Sequence, residues 1–143
     1  MNREFLESRF PCYIDRVLEK ERKELTMGLT FIEGKVKGSN GKEADVKFLV
    51  DSGATYTLLA FEHWKAIGLT AKRNVDFTLA DGTIIRRGVS ECYIVIPQGE
   101  GHTPVILGEE EDESLIGAIT LEILGLRLNP FNRTLEPMKM MLA

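Results

Sequence analysis

The chain has 143 residues, enough for one domain with a buried core, and 43% of them are apolar. Its net charge of −4 and pI near 5.3 argue against non-specific binding to nucleic acid, which takes a basic face. No apolar run is long enough for a transmembrane helix, and the first ten residues carry four charges and no apolar stretch, so no secretory leader and no membrane partner are expected and the cytoplasm is the predicted location.

Residues 2–25 are rich in Glu, Arg, Lys and Leu. Tyr13, Val17, Leu18 and Leu25 recur at near-helical spacing, and Pro11 suits a first turn. An amphipathic helix of about four turns is expected there. It either packs on the domain or its partner, or is an upstream extension ahead of an internal start at Met27. Leu29–Lys37 then carries the β-formers Thr30, Phe31, Ile32 and Val36. Gly38-Ser39-Asn40-Gly41 predicts a hairpin, because Asn-Gly tolerates positive φ. Glu43–Val50 is the returning strand, with Ala44, Val46 and Phe48 on one face.

That strand ends in the most informative stretch, Phe48-Leu49-Val50-Asp51-Ser52-Gly53-Ala54-Thr55-Tyr56-Thr57-Leu58-Leu59. An apolar run delivers a carboxylate into a partly dry place, and burying a carboxylate is costly unless it is partnered. Gly53 has no side chain to keep another backbone away. Most Asp-Ser-Gly triplets are surface turns, but a surface turn does not need apolar residues on both sides.

Phe61, Trp64 and Ile67 suit a short helix stopped by Gly68, with Trp64 in a packing role. Val75–Leu79 reads as a strand, Ala80-Asp81-Gly82-Thr83 as a turn, and Ile84–Val89 leads into a further strand over Ser90–Pro97. Gln98–Thr103 is expected to be a loop and Pro104–Gly108 a short strand. The acidic run Glu109–Glu113 lacks the alternating ligands and Gly of a calcium loop and reads as a solvated loop. Leu115-Ile116-Gly117 opens a short apolar helix that Gly125 ends. Leu126–Pro130 is a last strand, and an apolar tail follows from Glu136 to Ala143 with Met138, Met140, Met141 and Leu142.

Cys12 and Cys92 are the only cysteines. Without CxxC spacing or a His cluster they indicate free thiols, not a metal site or a redox pair. His63 and His102 are isolated and read as surface or packing residues. No metal and no cofactor is expected.

Three features follow one another in a telling order: the apolar-apolar-Asp51-Ser52-Gly53-Ala54 loop, the hairpin tipped by Ala80–Thr83, and Leu115-Ile116-Gly117 with its helix and Leu124-Gly125. In this the chain resembles the retropepsin-like aspartic proteases over roughly residues 28–136, most of all the small single-domain prokaryotic type. The resemblance implies an all-β fold, a retropepsin-like acid-protease β-barrel with a short C-terminal helix, here carrying an N-terminal helical extension. It divides the chain into an extension, residues 1–26, and a protease domain, residues 27–143. Two departures stand out. One is the helical N-terminus; the other is Ala118, where viral members commonly carry Arg or Asn.

The resemblance further implies a homodimeric aspartic endopeptidase. Its chemistry needs two carboxylates about 3 Å apart sharing one proton, and this chain supplies only one such loop. Asp51, Ser52 and Gly53 are the implied catalytic residues. Ala54 and Thr55, with the flap residues Ala80, Asp81, Gly82 and Thr83, are the implied contacts to a peptide or protein substrate, and the C-terminal tail is assigned to the dimer sheet. Two other readings stay open: a dimer of the same fold that binds peptide without cutting it, and an assembly module in which residues 2–25 recruit a partner and the domain only dimerises.

Overall fold

The computed structural model describes residues 29–139 and Leu142. The helical extension expected over residues 2–25 lies outside them.

Nine strands and two short helices make up the described fold: β1 (Thr30–Lys37), β2 (Glu43–Val50), β3 (Thr57–Leu59), a first helix (Phe61–Ala66), β4 (Arg73–Thr78), β5 (Ile84–Ile96), β6 (Gly99–Leu107), β7 (Leu115–Ile116), a second helix (Ala118–Ile123), β8 (Leu126–Asn129) and β9 (Thr134–Pro137). The main sheet runs β1-β2-β7-β3-β6-β5-β4, and an extra pairing of β1 with β5 closes six of its strands into a barrel. Closure runs over Lys35↔Val95 to Lys37↔Tyr93. Just before it, a Cβ on Gly34 would come within 2.9 Å of both Ile96 and the Val95 carbonyl, so the missing side chain lets β1 meet β5. The fold is an all-β, retropepsin-like barrel.

Alternation builds its core. Val46, Phe48 and Val50 point inward from β2, and Cys92, Ile94 and Ile96 from β5. Phe48, Leu59, Ile67, Ile94 and Ile116 are almost wholly buried, each worth roughly 1.5–3 kcal/mol relative to exposure. Burial also pushes the Cys92 thiol up to about 12, so this free cysteine is a protonated, inert packing group at neutral pH. Half-buried Trp64 packs against the core while its Nε1–H donates to the Gly108 carbonyl at 2.8 Å.

Several expectations change. Ile84 to Ile96 is one continuous strand of 13 residues. Residues 84–88 pair only with β4, Val89 pairs with both Arg73 of β4 and Ile106 of β6, and the rest of the strand is barrel wall. The segment read as a loop at Gln98–Thr103 is mostly strand, because β6 begins at Gly99 and Pro97-Gln98 alone makes the turn. A second C-terminal strand, β9, folds back on β8, pairing Leu126↔Pro137 to Asn129↔Thr134. The start of the tail assigned to a dimer sheet is thus paired inside this chain. Within the acidic run Asp112 is buried, not solvated; its Oδ2 accepts the Glu109 N–H at 2.6 Å and closes the turn.

Among the described residues no helix is long and apolar enough to cross a membrane, and no group of three or more His, Cys, Asp or Glu is placed to hold a metal ion.

Candidate active site

The site's geometry starts from strand order. β2 and β3 are consecutive in the chain, yet β7 lies between them, parallel to β2 (Leu49↔Leu115, Val50↔Ile116) and antiparallel to β3 (Leu58↔Leu115). The connection 51–56 must therefore arch over β7, a gap of roughly two strand spacings, about 10 Å. Asp51 is at the start of that arch. Its N–H donates to the Ile116 carbonyl at 2.9 Å, one more rung of the β2–β7 ladder.

The chain leaving β7 passes directly beneath the arch. Ala118 N–H donates to the Ala54 carbonyl at 2.7 Å, and Ile119 N–H to the Thr55 carbonyl at 3.0 Å. These are first-turn N–H groups of the second helix, which have no partner inside the helix. A Cβ on Gly117 would lie 2.4 Å from the Tyr56 carbonyl oxygen and 2.9 Å from that of Ala54. Only glycine fits this crossing.

Inside the arch, Gly53 N–H donates to Asp51 Oδ1 at 3.0 Å and Ala54 N–H to the Asp51 carbonyl at 3.1 Å. The first bond orients the carboxylate. Asp51 is half-buried, whereas Ser52 and Gly53 are exposed. The loop thus presents its acid at the surface of the single chain, with the second carboxylate oxygen left for another partner.

The hairpin tip is a separate unit. Leu79 N–H donates to the Thr83 carbonyl at 2.7 Å and Gly82 N–H to the Leu79 carbonyl at 2.9 Å. Gly82 takes φ +89°, which an L side chain resists. Thr83 N–H donates to Asp81 Oδ1 at 2.9 Å, and bonds from the Thr83 hydroxyl and amide hold the Asp81 carboxyl below its ordinary value. All four tip residues, Ala80 to Thr83, are exposed. None of these bonds reaches the acid loop. A bridge between the two units is Tyr56 set edge-on against Phe77, with ring centroids 6.0 Å apart.

Residues 32–118 match the aspartyl protease family, a span that runs from β1 through the acid loop and hairpin to the residue after Gly117. The chain belongs to the aspartyl protease family. Two solved structures share its fold. The EIAV protease complexed with the inhibitor HBY-793 superposes with a TM-score of 0.54 at 15% identity, over 71% of this chain and 92% of that one. The simian foamy virus (mac) protease gives 0.50 at 17% identity, over 66% and 94%. No curated protein matches the sequence.

In this aspartyl protease relative the fold gathers Asp51, Ser52, Gly53, Ala54 and Thr55 in one clamped loop. Ala80, Asp81, Gly82 and Thr83 form the turn of the projecting hairpin. A groove of about 810 Å³ lies elsewhere, lined by residues including Trp64, Leu69, Arg87 and Glu109; none of the nine expected site residues lines it. Sequence reasoning passed over Thr57, Thr103 and Thr120, which are buried behind the loop and bonded to one another. Their signal was faint: hydroxyls at positions where the surrounding pattern wants an aliphatic side chain.

Proposed function

We propose that this chain is an aspartic endopeptidase that works as a symmetric homodimer, with Asp51 of each subunit meeting on the two-fold axis. The supporting observation is the acid loop itself, a carboxylate oriented by Gly53 N–H on an arch clamped from below and open to a partner above. One carboxylate takes a proton from a water whose oxygen attacks the peptide carbonyl carbon. The other carboxyl gives its proton to the carbonyl oxygen. The tetrahedral diol then collapses, the C–N bond breaks, and the nitrogen leaves as an amine with a proton from the pair.

Ser52 bonds across the interface and holds the paired loops, and Gly53 allows their close approach. Ala54 and Thr55 line the cleft floor. The hairpin tip, Ala80 to Thr83, closes over an extended peptide and excludes water, and the peptide is read through backbone hydrogen bonds as an added strand.

A peptide-library digest tests this reading. Cleavage is expected at mildly acidic pH, blocked by a statine-type inhibitor. It should fall as pH rises past loss of the proton the pair shares, because two carboxylates so close cannot both stay charged. A rate that stays flat into alkaline pH, or peptides left intact throughout, would overturn it.

Residues 27–143 are proposed as the enzymatic unit. Removing residues 1–26 should leave a folded dimer with unchanged kcat. Dissociation of the shortened chain on a sizing column would show that the extension belongs to the assembly.

A further inference from the structure

Behind the acid loop lies a file of hydroxyls that the proposed chemistry does not use. Thr57 opens β3 directly after the arch, Thr120 sits in the second helix, and Thr103 lies in β6. Thr57 and Thr120 are fully buried and Thr103 is 2% exposed. Gly117 N–H donates to Thr57 Oγ1 at 3.1 Å, Thr57 Oγ1 lies 2.5 Å from Thr120 Oγ1, and Thr120 Oγ1 lies 2.6 Å from Thr103 Oγ1. Thr103 O–H then donates to the Pro104 carbonyl at 3.3 Å.

The two ends fix the polarity. A backbone N–H can only donate and a carbonyl can only accept, so each hydroxyl between them accepts one bond and donates the next. Such a chain is cooperative. Valine has nearly the same shape as threonine and would suit the apolar surroundings better, since a buried hydroxyl is costly unless bonded. What the hydroxyls add is direction. Thr57 holds the outgoing end of the arch. Thr120 holds the helix whose first N–H groups grip the Ala54 and Thr55 carbonyls. Thr103 ties both to the barrel wall.

We propose that the buried Thr57–Thr120–Thr103 hydroxyl chain is a positioning relay that locks the loop carrying Asp51 to the barrel. The relay's effect on turnover rests on the protease reading above; its effect on loop order does not.

Thr120→Val and Thr120→Ser test it in the full-length protein. In the valine variant, amide exchange at Ala118 and Ile119 should speed by about tenfold or more while Ile94 in the barrel wall changes by less than about threefold, the mark of local rather than global opening. Its kcat should fall by about tenfold or more with KM nearly unchanged, as misplacement of a reacting group predicts. The serine variant, which keeps the hydroxyl, should stay within about threefold of wild type on each readout. If the valine variant does not fold, Thr103→Val and Thr103→Ser carry the same comparison from the far end of the chain. Exchange that rises equally at Ile94, a serine variant as impaired as the valine one, or a folded valine variant with unchanged exchange would overturn the relay. A wild-type protein that cuts nothing would sink the hydrolase reading instead, and the exchange rates would still decide the relay.

Discussion

Asp51→Asn is expected to abolish peptide cleavage, lowering kcat by about 10³-fold or more, and to leave the proposed dimer assembled. The size follows from what is removed. Acid–base transfer by a positioned group contributes roughly 10²–10⁴-fold, and in a pair that acts as a unit the loss of one role disables the other. The fold should tolerate the change because Asn matches Asp in shape and keeps an oxygen to accept the Gly53 N–H, the bond that orients the side chain. The clamp from Ile116, Ala118 and Ile119 uses only backbone atoms and is indifferent to the substitution. Turnover on a cleaved peptide, sedimentation velocity for the dimer and a melting curve together separate the outcomes. Undiminished cleavage by the variant would remove Asp51 from the chemistry. Lost cleavage together with a lost dimer would mean that the acid also holds the assembly.

The parts legible in the sequence are those that local chemistry dictates. Gly41 at φ +85° and Gly82 at φ +89° sit where Asn-Gly and Asp-Gly announced turns. The inward alternation of β2 followed from Val46 and Phe48. What escaped reading was set by pairing partners. Gly99–Thr103 has no apolar run, yet the inner half of β5 offers it a full ladder from Ile96↔Gly99 to Cys92↔Thr103. Backbone bonding then makes it a strand whatever its side chains prefer. β9 escaped for a similar reason. It is short and half polar, and it is held by its ladder to β8 and the Arg127–Glu136 ion pair.

The candidate site divides along the same line. Asp51 was visible because a carboxylate at the end of Phe48-Leu49-Val50 is expensive and so invites a reason. The insertion of β7 between β2 and β3 left no local trace, although it is what forces the loop to arch. The threonines were invisible until β3, β6 and the second helix were seen to converge. A lone Thr in an apolar segment is common, and its meaning depends on a partner 63 residues away for Thr57 and 17 for Thr103.

Gly117→Ala should lower the melting temperature by about 10 °C or more and remove activity with it. The backbone at Gly117, φ −101° and ψ −179°, is open to any residue, so conformational strain has no part in the loss. The cause is contact. A methyl group there would sit 2.4 Å from the Tyr56 carbonyl oxygen, 2.7 Å from its carbon and 2.9 Å from the Ala54 oxygen. All three are backbone atoms with no rotamer to escape into, and the Ala54 oxygen is already committed to Ala118 N–H. Overpacking of this kind costs about 1–3 kcal/mol or more, here at the upper end because no contacted atom can turn away, and in a domain of this size each kcal/mol moves the melting point by roughly 4 °C. Relief can come only by lifting the arch, which carries Asp51 away from its clamp. Gly82→Ala is the instructive control. Its φ is positive but nothing lies within 4 Å of the added carbon, so only the left-handed backbone cost of about 1–2 kcal/mol remains, a shift of several degrees. A Gly117→Ala protein that melts and cleaves like wild type would show that the crossing beneath the acid loop is slack, and with it the idea that this crossing sets where the carboxylate stands.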